Sequence, residues 1–414
     1  MIFLLQIISF IAIILNGVNM DFGALHLNSE RIAFSLILPI AALYIFLNKR
    51  FYFSLPSAFY VGWALCALLS MSLTQDPGAH VNGLLISISP LLYFFVFMQN
   101  SFTGRKISFV LEYSLWFLSI GSITIYSIWL VSGNFSEMID FGRIKFTMAE
   151  PNILGSAIAI MMLSHLPSAK FSFSHILLHA LSLISLIISG SKAPIIAYVI
   201  AIIYYMFRSK AFVGIFPLIA AMFCSIMVLS VSIFMTDQIE SFYDSMFDRP
   251  AAVNIRMYVF DEGWRRFLNH PIIGNGPLDF SFANPAILER MGATDSRALW
   301  LWQMWLAIAH DEGIIGLILF LFFIIGTWIH CERLIRLGQR EYIGYMAAVI
   351  AAVVASQTTT IHLTAIFGVA LGLANSRPNL MFSRSDLITP TSMQFRPESN
   401  GLPPAHRISN GGVA

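Results

Sequence analysis

The chain has 414 residues, of which 57% are hydrophobic and only 11% charged, and its mean hydropathy is +0.75. An ordinary globular protein carries roughly 25% charged residues, so this composition excludes a water-dissolved fold. The balance of 24 Lys plus Arg against 22 Asp plus Glu also excludes the basic field that a nucleic-acid binder uses.

In chain order, apolar stretches approaching the ~20 residues that cross a bilayer lie at 2–17, 32–47, 57–74, 84–98, 107–131, 152–168, 174–190, 193–207, 212–235, 313–330, 342–356 and 361–375. They predict an all-α polytopic membrane protein with about twelve transmembrane helices. The first stretch lacks a basic n-region and a small-residue cleavage site and is expected to remain as a helix. The expected organisation is helices 1–9 over 1–235, a large periplasmic loop over 236–312, helices 10–12 over 313–375, and a disordered cytoplasmic tail over 376–414, rich in Pro, Ser, Asn and Gly. Cys66, Cys224 and Cys331 fall in or beside apolar segments without paired spacing, which suggests neither disulfides nor a thiolate metal site.

Orientation follows from positive charge in short loops, which stays on the cytoplasmic side. Lys49, Arg50, Arg105, Lys106, Lys170, Arg208, Lys210, Arg333, Arg336 and Arg340 all fall inside if both termini are cytoplasmic. Arg143, Lys145, Lys192, Arg249, Arg256, Arg265, Arg266, Arg290 and Arg297 then fall outside, most of them in the 236–312 loop. That loop is expected to fold. Val253, Met257, Phe260, Trp264 and Phe267 form a helical stripe that should pack on the bundle or the membrane mouth. Pro271, Gly274, Gly276 and Pro277 break this helix, and a second runs from about Arg297 to Asp311. Gly274-Asn275-Gly276 is read as a turn, since Asp279 stands where a dinucleotide fingerprint needs its third glycine. Trp300, Trp302 and Trp305 fit an interfacial aromatic belt.

Four local patterns, in this order, resemble the bacterial O-antigen ligase and O-antigen polymerase superfamily. They are Arg143 followed by Pro151-Asn152; Ser189-Gly190-Ser191-Lys192-Ala193; Arg256 followed by His270-Pro271-Ile272-Ile273-Gly274-Asn275-Gly276 and Phe280; and Leu306 through Asp311-Glu312-Gly313-Ile314-Ile315-Gly316. The resemblance covers roughly residues 140–330. Two positions depart from the family's pattern: Lys192 replaces an arginine, and the usual His-Asn pair falls on Trp302-Gln303.

The resemblance implies an inner-membrane glycosyltransferase that takes a glycan from a polyprenyl-diphosphate carrier and joins it to a saccharide acceptor on the periplasmic face. Its partners would be the lipid-linked glycan, the acceptor, the bilayer and other polysaccharide-assembly membrane proteins. Such an enzyme must neutralise a diphosphate leaving group. Arg143, Lys192 and Arg256 are the expected clamp, because permanent or near-permanent cations suit that anion. The acceptor hydroxyl needs a base as its proton is lost in the transition state. Asp311 and His310 are the first candidates, with Glu312 and Glu150 behind them. His175 and His179 stand four apart near the predicted inner face with no third ligand in the linear sequence, so no metal and no cofactor are expected.

The missing His-Asn pair tilts the reading towards a polysaccharide polymerase. A ligase that attaches polymer to lipid A core is the alternative. A lipid-linked glycan flippase is a second, because twelve spans also suit a transporter, although mid-span ionisable residues and matched halves are lacking.

Overall fold

A computed structural model describes residues 2–15, 19–22, 25–28, 36–40, 52–74, 77–99, 104–140, 142–166, 173–209, 250–282 and 301–377. Its principal helices are α1 (Ile2–Ile14), α2 (Leu55–Ser72), α3 (Pro77–Met98), α4 (Gly104–Ser132), α5 (Pro151–His165), α6 (Phe173–Ile188), α7 (Lys192–Ser209), α8 (Pro250–Asn269), α9 (Met304–Arg336), α10 (Glu341–Ala355) and α11 (Ala365–Ala374). A described helix overlaps each expected span except 212–235, which lies wholly outside the described residues; of 32–47 only 36–40 are described, and these are helical. Four helices are long and apolar enough to cross a membrane, at Leu55–Ser72, Ile107–Ser132, Lys192–Ser209 and Met304–Arg336; other apolar helices are shorter. The chain is a helical membrane protein. The tail from 378 onwards and most of the loop on either side of α8 lie outside the described residues.

Helix α5 forms the centre of the bundle. Nearly every side chain from Leu154 to His165 is buried, and a helix apolar all round belongs inside rather than at a surface. It packs against α4, α6, α7 and α10. A second centre forms where α2, α3 and α9 meet. There the Tyr60 ring stacks on Phe323 at 4.3 Å between centroids and meets Phe94 edge-on at 5.1 Å. Small residues let backbones approach in this apolar setting: Gly62 faces Leu319, Gly326 faces Pro56, and Gly368 sits against the Pro90 carbonyl.

Two small hairpins interrupt the expected all-α pattern: β1 (Asn19–Phe22) with β2 (Leu25–Asn28), and β3 (Ile139–Asp140) with β4 (Arg143–Ile144), both antiparallel. The second is tight, with Gly142 at φ 74, a left-handed conformation that glycine adopts without strain.

The helices that matter for function share a common end. Arg208, near the C-terminus of α7, donates to Glu332 at 2.7 Å, and Tyr204 and Trp328 rings lie 5.5 Å apart. So α7 and α9 run parallel. At 1.5 Å per residue, Lys192 lies ~24 Å back from Arg208 along α7.

Candidate functional site

The site is built on a break in α9. Gly313 has φ 73 and ψ −173 in the middle of this helix, a region open essentially to glycine alone. The segment beyond the break, 314–336, is ~34 Å long, enough for a hydrocarbon core of about 30 Å. Met304–Glu312 is thereby a separate short helix at its end.

A break in a helix strands backbone groups that must find other partners when buried. The 270–279 loop supplies them. Asn275 N–H donates to the His310 carbonyl at 2.8 Å, Gly276 N–H donates to the Asp311 carbonyl at 3.0 Å, and Ile314 N–H donates to the Pro271 carbonyl at 2.9 Å. The Asn275 side-chain amide adds a bond to the His310 carbonyl at 3.1 Å. The approach is so close that a Cβ on Gly274 would collide with the Asp311 carbonyl oxygen, and one on Gly313 with that of Ile272. The third and fourth sequence patterns are therefore two halves of one backbone joint.

That joint locks a chain of titratable side chains. His310 is fully buried, and its Nδ1 lies 2.7 Å from Asp311 Oδ1. The other Asp311 oxygen accepts the Leu278 N–H at 2.9 Å. Leu278 adopts φ 55, uncommon for a residue with a Cβ and of the kind that persists only where surrounding contacts impose it. His310 Nε2 faces Asp279 Oδ2 at 3.9 Å, and Asp279 Oδ1 faces His80 Nε2 at 3.9 Å. His80 in turn reaches the Pro277 carbonyl through Nδ1 at 3.2 Å. Phe280 stands edge-on to the His310 ring at 5.9 Å, with the Arg266 guanidinium 5.2 Å above its own centroid.

Arg266 anchors the far side, lying 3.4 Å from Asp279 Oδ2 and 3.0 Å from Glu262 Oε1. Hydrogen bonds from Arg265, then from Arg266, hold the Glu262 carboxyl below the usual carboxylate range against the opposing effect of burial. Of the linked acids, Asp279 is the half-exposed one, whereas Asp311 is buried. A substrate would therefore meet Asp279 first.

A second cluster forms around Arg143. The β3–β4 hairpin places Arg143 opposite Asp140, with Nη2 donating to Oδ2 at 3.0 Å. The aliphatic stem of Arg143 lies on Gly190: a Cβ added there would stand 2.6 Å from Cγ. Gly190 has φ 60 and closes the α6–α7 turn, two residues before the exposed Lys192. The turn also packs on α5, since a Cβ on Gly155 would stand 2.9 Å from Ser189 Oγ. The first and second sequence patterns thus also touch.

The expected site residues divide accordingly. Arg143 is brought to the turn that carries Lys192, while His310 and Asp311 are paired at the α9 break. Arg256 belongs to α8, but its side chain falls outside the described residues. Glu150 serves as the N-terminal flank of α5, its carbonyl accepting the Leu154 N–H at 3.2 Å. Glu312 is buried with its Cβ against Gly316, where α9 meets α2. Gln303 is the N-cap of α9 and Trp302 packs against Val259 and its neighbours, so no imidazole stands at the His-Asn position.

Of the stripe expected on α8, most turns away from the protein, which leaves the membrane mouth as its expected contact. Met257, Phe260 and Trp264 are exposed, whereas Val259 and Phe267 are buried and Gly263 receives the Leu301 side chain. The missing Cβ at Gly263 and the Glu262–Arg266–Asp279 pairing select this face over the more apolar one. Sequence reasoning passed over His80 and noted Asp279 only as a spoiled glycine position.

A helical membrane protein with a carboxylate–imidazole chain at one helix break and, separately, an arginine-bearing turn is what the described residues define. Residues 177–321 match the family model described as O-antigen ligase, and this supports the resemblance to the O-antigen ligase and polymerase superfamily. The match spans α6, α7, α8 and the first part of α9. No curated protein matches the chain.

Proposed function

We propose that the protein is an inner-membrane glycosyltransferase that extends a polysaccharide from a polyprenyl-diphosphate-linked oligosaccharide on the periplasmic face, with both termini cytoplasmic. The observation that carries this reading is the joint between the 270–279 loop and the α9 break, which sets His310, Asp311 and Asp279 in one chain. Its sidedness follows from charge. Arg333, Arg336 and Arg340 lie with Arg208 at the other end of α9, the end that the positive-inside rule assigns to the cytoplasm.

In the proposed reaction, the acceptor hydroxyl lies at Asp279 and gives up its proton there as its oxygen attacks the anomeric carbon of the donor sugar. The bond from that carbon to the phosphate oxygen breaks, and the polyprenyl diphosphate leaves with the electron pair. His310 Nε2 receives the proton from Asp279, and the imidazolium is stabilised between Asp279 and Asp311. Asp311, held by the Leu278 N–H, fixes the His310 tautomer with the proton on Nδ1. Arg143 and Lys192 neutralise the departing diphosphate, helped by the N-termini of α5 and α7, whose dipoles favour anions. Arg256 is the third proposed member of that clamp. The transfer needs no metal ion or cofactor in this scheme.

The test is deletion in the native host followed by sizing of lipopolysaccharide and secreted polysaccharide. Single-repeat material supports a polymerase. Polymer retained on its lipid carrier, with bare core, supports the ligase alternative instead. Glycan trapped on the cytoplasmic face would overturn both in favour of a flippase.

A further inference from the structure

The fold assembles three metal-binding side chains that the linear sequence keeps far apart. Glu112 of α4, His165 at the end of α5 and His175 in the first turns of α6 each offer one donor atom, and these atoms all lie within 4.8 Å of one another. His175 Nε2 is 3.8 Å from Glu112 Oε1, and His165 Nε2 is 3.9 Å from Glu112 Oε2. A tetrahedral centre with bonds of about 2.05 Å has edges of about 3.4 Å, so a small rotation of the part-exposed Glu112 and His175 side chains closes the set.

An independent observation points to a ligand. His165 is fully buried in the central helix, and neither of its ring nitrogens has a hydrogen-bond partner. The same holds for His179, which is nearly fully buried with its ring 5.6 Å from that of His165. Buried polar atoms are almost always paired, and a bare imidazole in an apolar interior is costly. A cation on the Nε2 side of His165 satisfies that nitrogen and balances the Glu112 charge.

We infer that Glu112, His165 and His175 bind one divalent transition-metal ion of the zinc type, leaving a fourth position open to water. Two imidazoles and one carboxylate suit a borderline cation. They do not suit magnesium or calcium, which take oxygen ligands. The site lies at the end of the bundle away from Arg143 and Ser189, because α5 runs from one to the other. It clips α4, α5 and α6 together. It is independent of the glycosyl-transfer reading, so the two stand or fall separately.

The test uses the full-length protein in detergent, stripped with chelator and titrated with Zn²⁺ under calorimetry, with metal content measured after dialysis. One Zn²⁺ per chain is expected, together with a rise in Tm on binding and no displacement by excess Mg²⁺. Co²⁺ should give the intense visible bands of a four-coordinate centre. Glu112→Gln and His175→Gln alter part-exposed side chains. Each should weaken Zn²⁺ binding more than about tenfold and abolish the Tm rise, while His330→Gln leaves both unchanged. Substoichiometric Zn²⁺ in the wild type, or equal affinity in Glu112→Gln and His175→Gln, overturns the assignment.

Discussion

The two ends of α9 solve the same problem in opposite ways. At its C-terminal end the helix is regular, with Arg333 and Arg336 in its last turn and Glu332 paired to Arg208 at 2.7 Å. That is an arrangement of part-exposed charges at a helix terminus, favoured by the dipole and modest in energy. At the other end the helix is broken at Gly313, its loose backbone groups are taken up by the 270–279 loop, and a buried histidine is set among carboxylates. Such an end is expensive to build and serves no purpose in simply spanning a membrane. Strain and buried titratable groups concentrate where chemistry is done.

Variants should separate the two ends, beginning with the chemistry. His310→Gln and Asp279→Asn should each lower polymer formation, compared at equal amounts of folded protein, by about 10²–10⁴-fold, the range for losing acid–base assistance. Arg208→Ala at the opposite end should leave turnover intact. Equal losses at both ends would dissolve the contrast.

Gly313→Ala comes next. Its backbone strain costs about 1–3 kcal/mol, and the added carbon collides with the Ile272 carbonyl oxygen. The loop should undock, which limited proteolysis of the 270–279 segment would report. Gly338, also at positive φ but with open space around it, should accept alanine with only the conformational part of that penalty.

Gly190→Ala presses on the stem of Arg143 and should raise the apparent KM for the lipid-linked donor more than it lowers kcat. Lys192→Ala should do the same and Lys192→Arg should restore it, since charge is what the clamp requires.

The smallest effects concern α8. Arg266→Ala leaves Asp279 and Glu262 short of a partner and should destabilise the protein by about 1–3 kcal/mol, whereas Arg265→Ala, on the exposed side, should lower Tm by less at neutral pH. Glu262 sits below its ordinary value in the folded chain. Its contribution is therefore fully present above the unfolded carboxylate value and is lost as pH falls through the depressed folded one. Wild-type Tm should drop over that acidic window, and Arg265→Ala, which removes the larger hydrogen-bonding contribution to Glu262, should show a shallower drop.

Much of this was legible in the sequence, and the residue level shows why the rest was not. Hydropathy located most of the described apolar helices because those runs are long compared with the short loops between them. The four patterns marked Arg143, Lys192, His310 and Asp311 because glycines and charges are conspicuous in a chain this poor in charge. What linear order concealed was pairing: that Gly190 carries Arg143, and that the amides of Asn275 and Gly276 replace helical bonds of His310 and Asp311. On α8, apolar periodicity marks Met257, Phe260 and Trp264, which face away from the protein, whereas the face that packs carries a small residue and a charge network that periodicity does not show. Glu112 and His165 went unnoticed as neighbours of His175 because they lie on separate helices. His80 and Asp279 were missed because each is an isolated polar residue until the loop closes.

The most direct test is a reconstituted transfer reaction, in which purified protein receives polyprenyl-diphosphate-linked oligosaccharide and both chain growth and release of polyprenyl diphosphate are followed. The account predicts that the wild type lengthens the glycan and releases one carrier per bond formed, and that His310→Gln still binds the donor without doing either. A His310→Gln protein that turns over at the wild-type rate would contradict it.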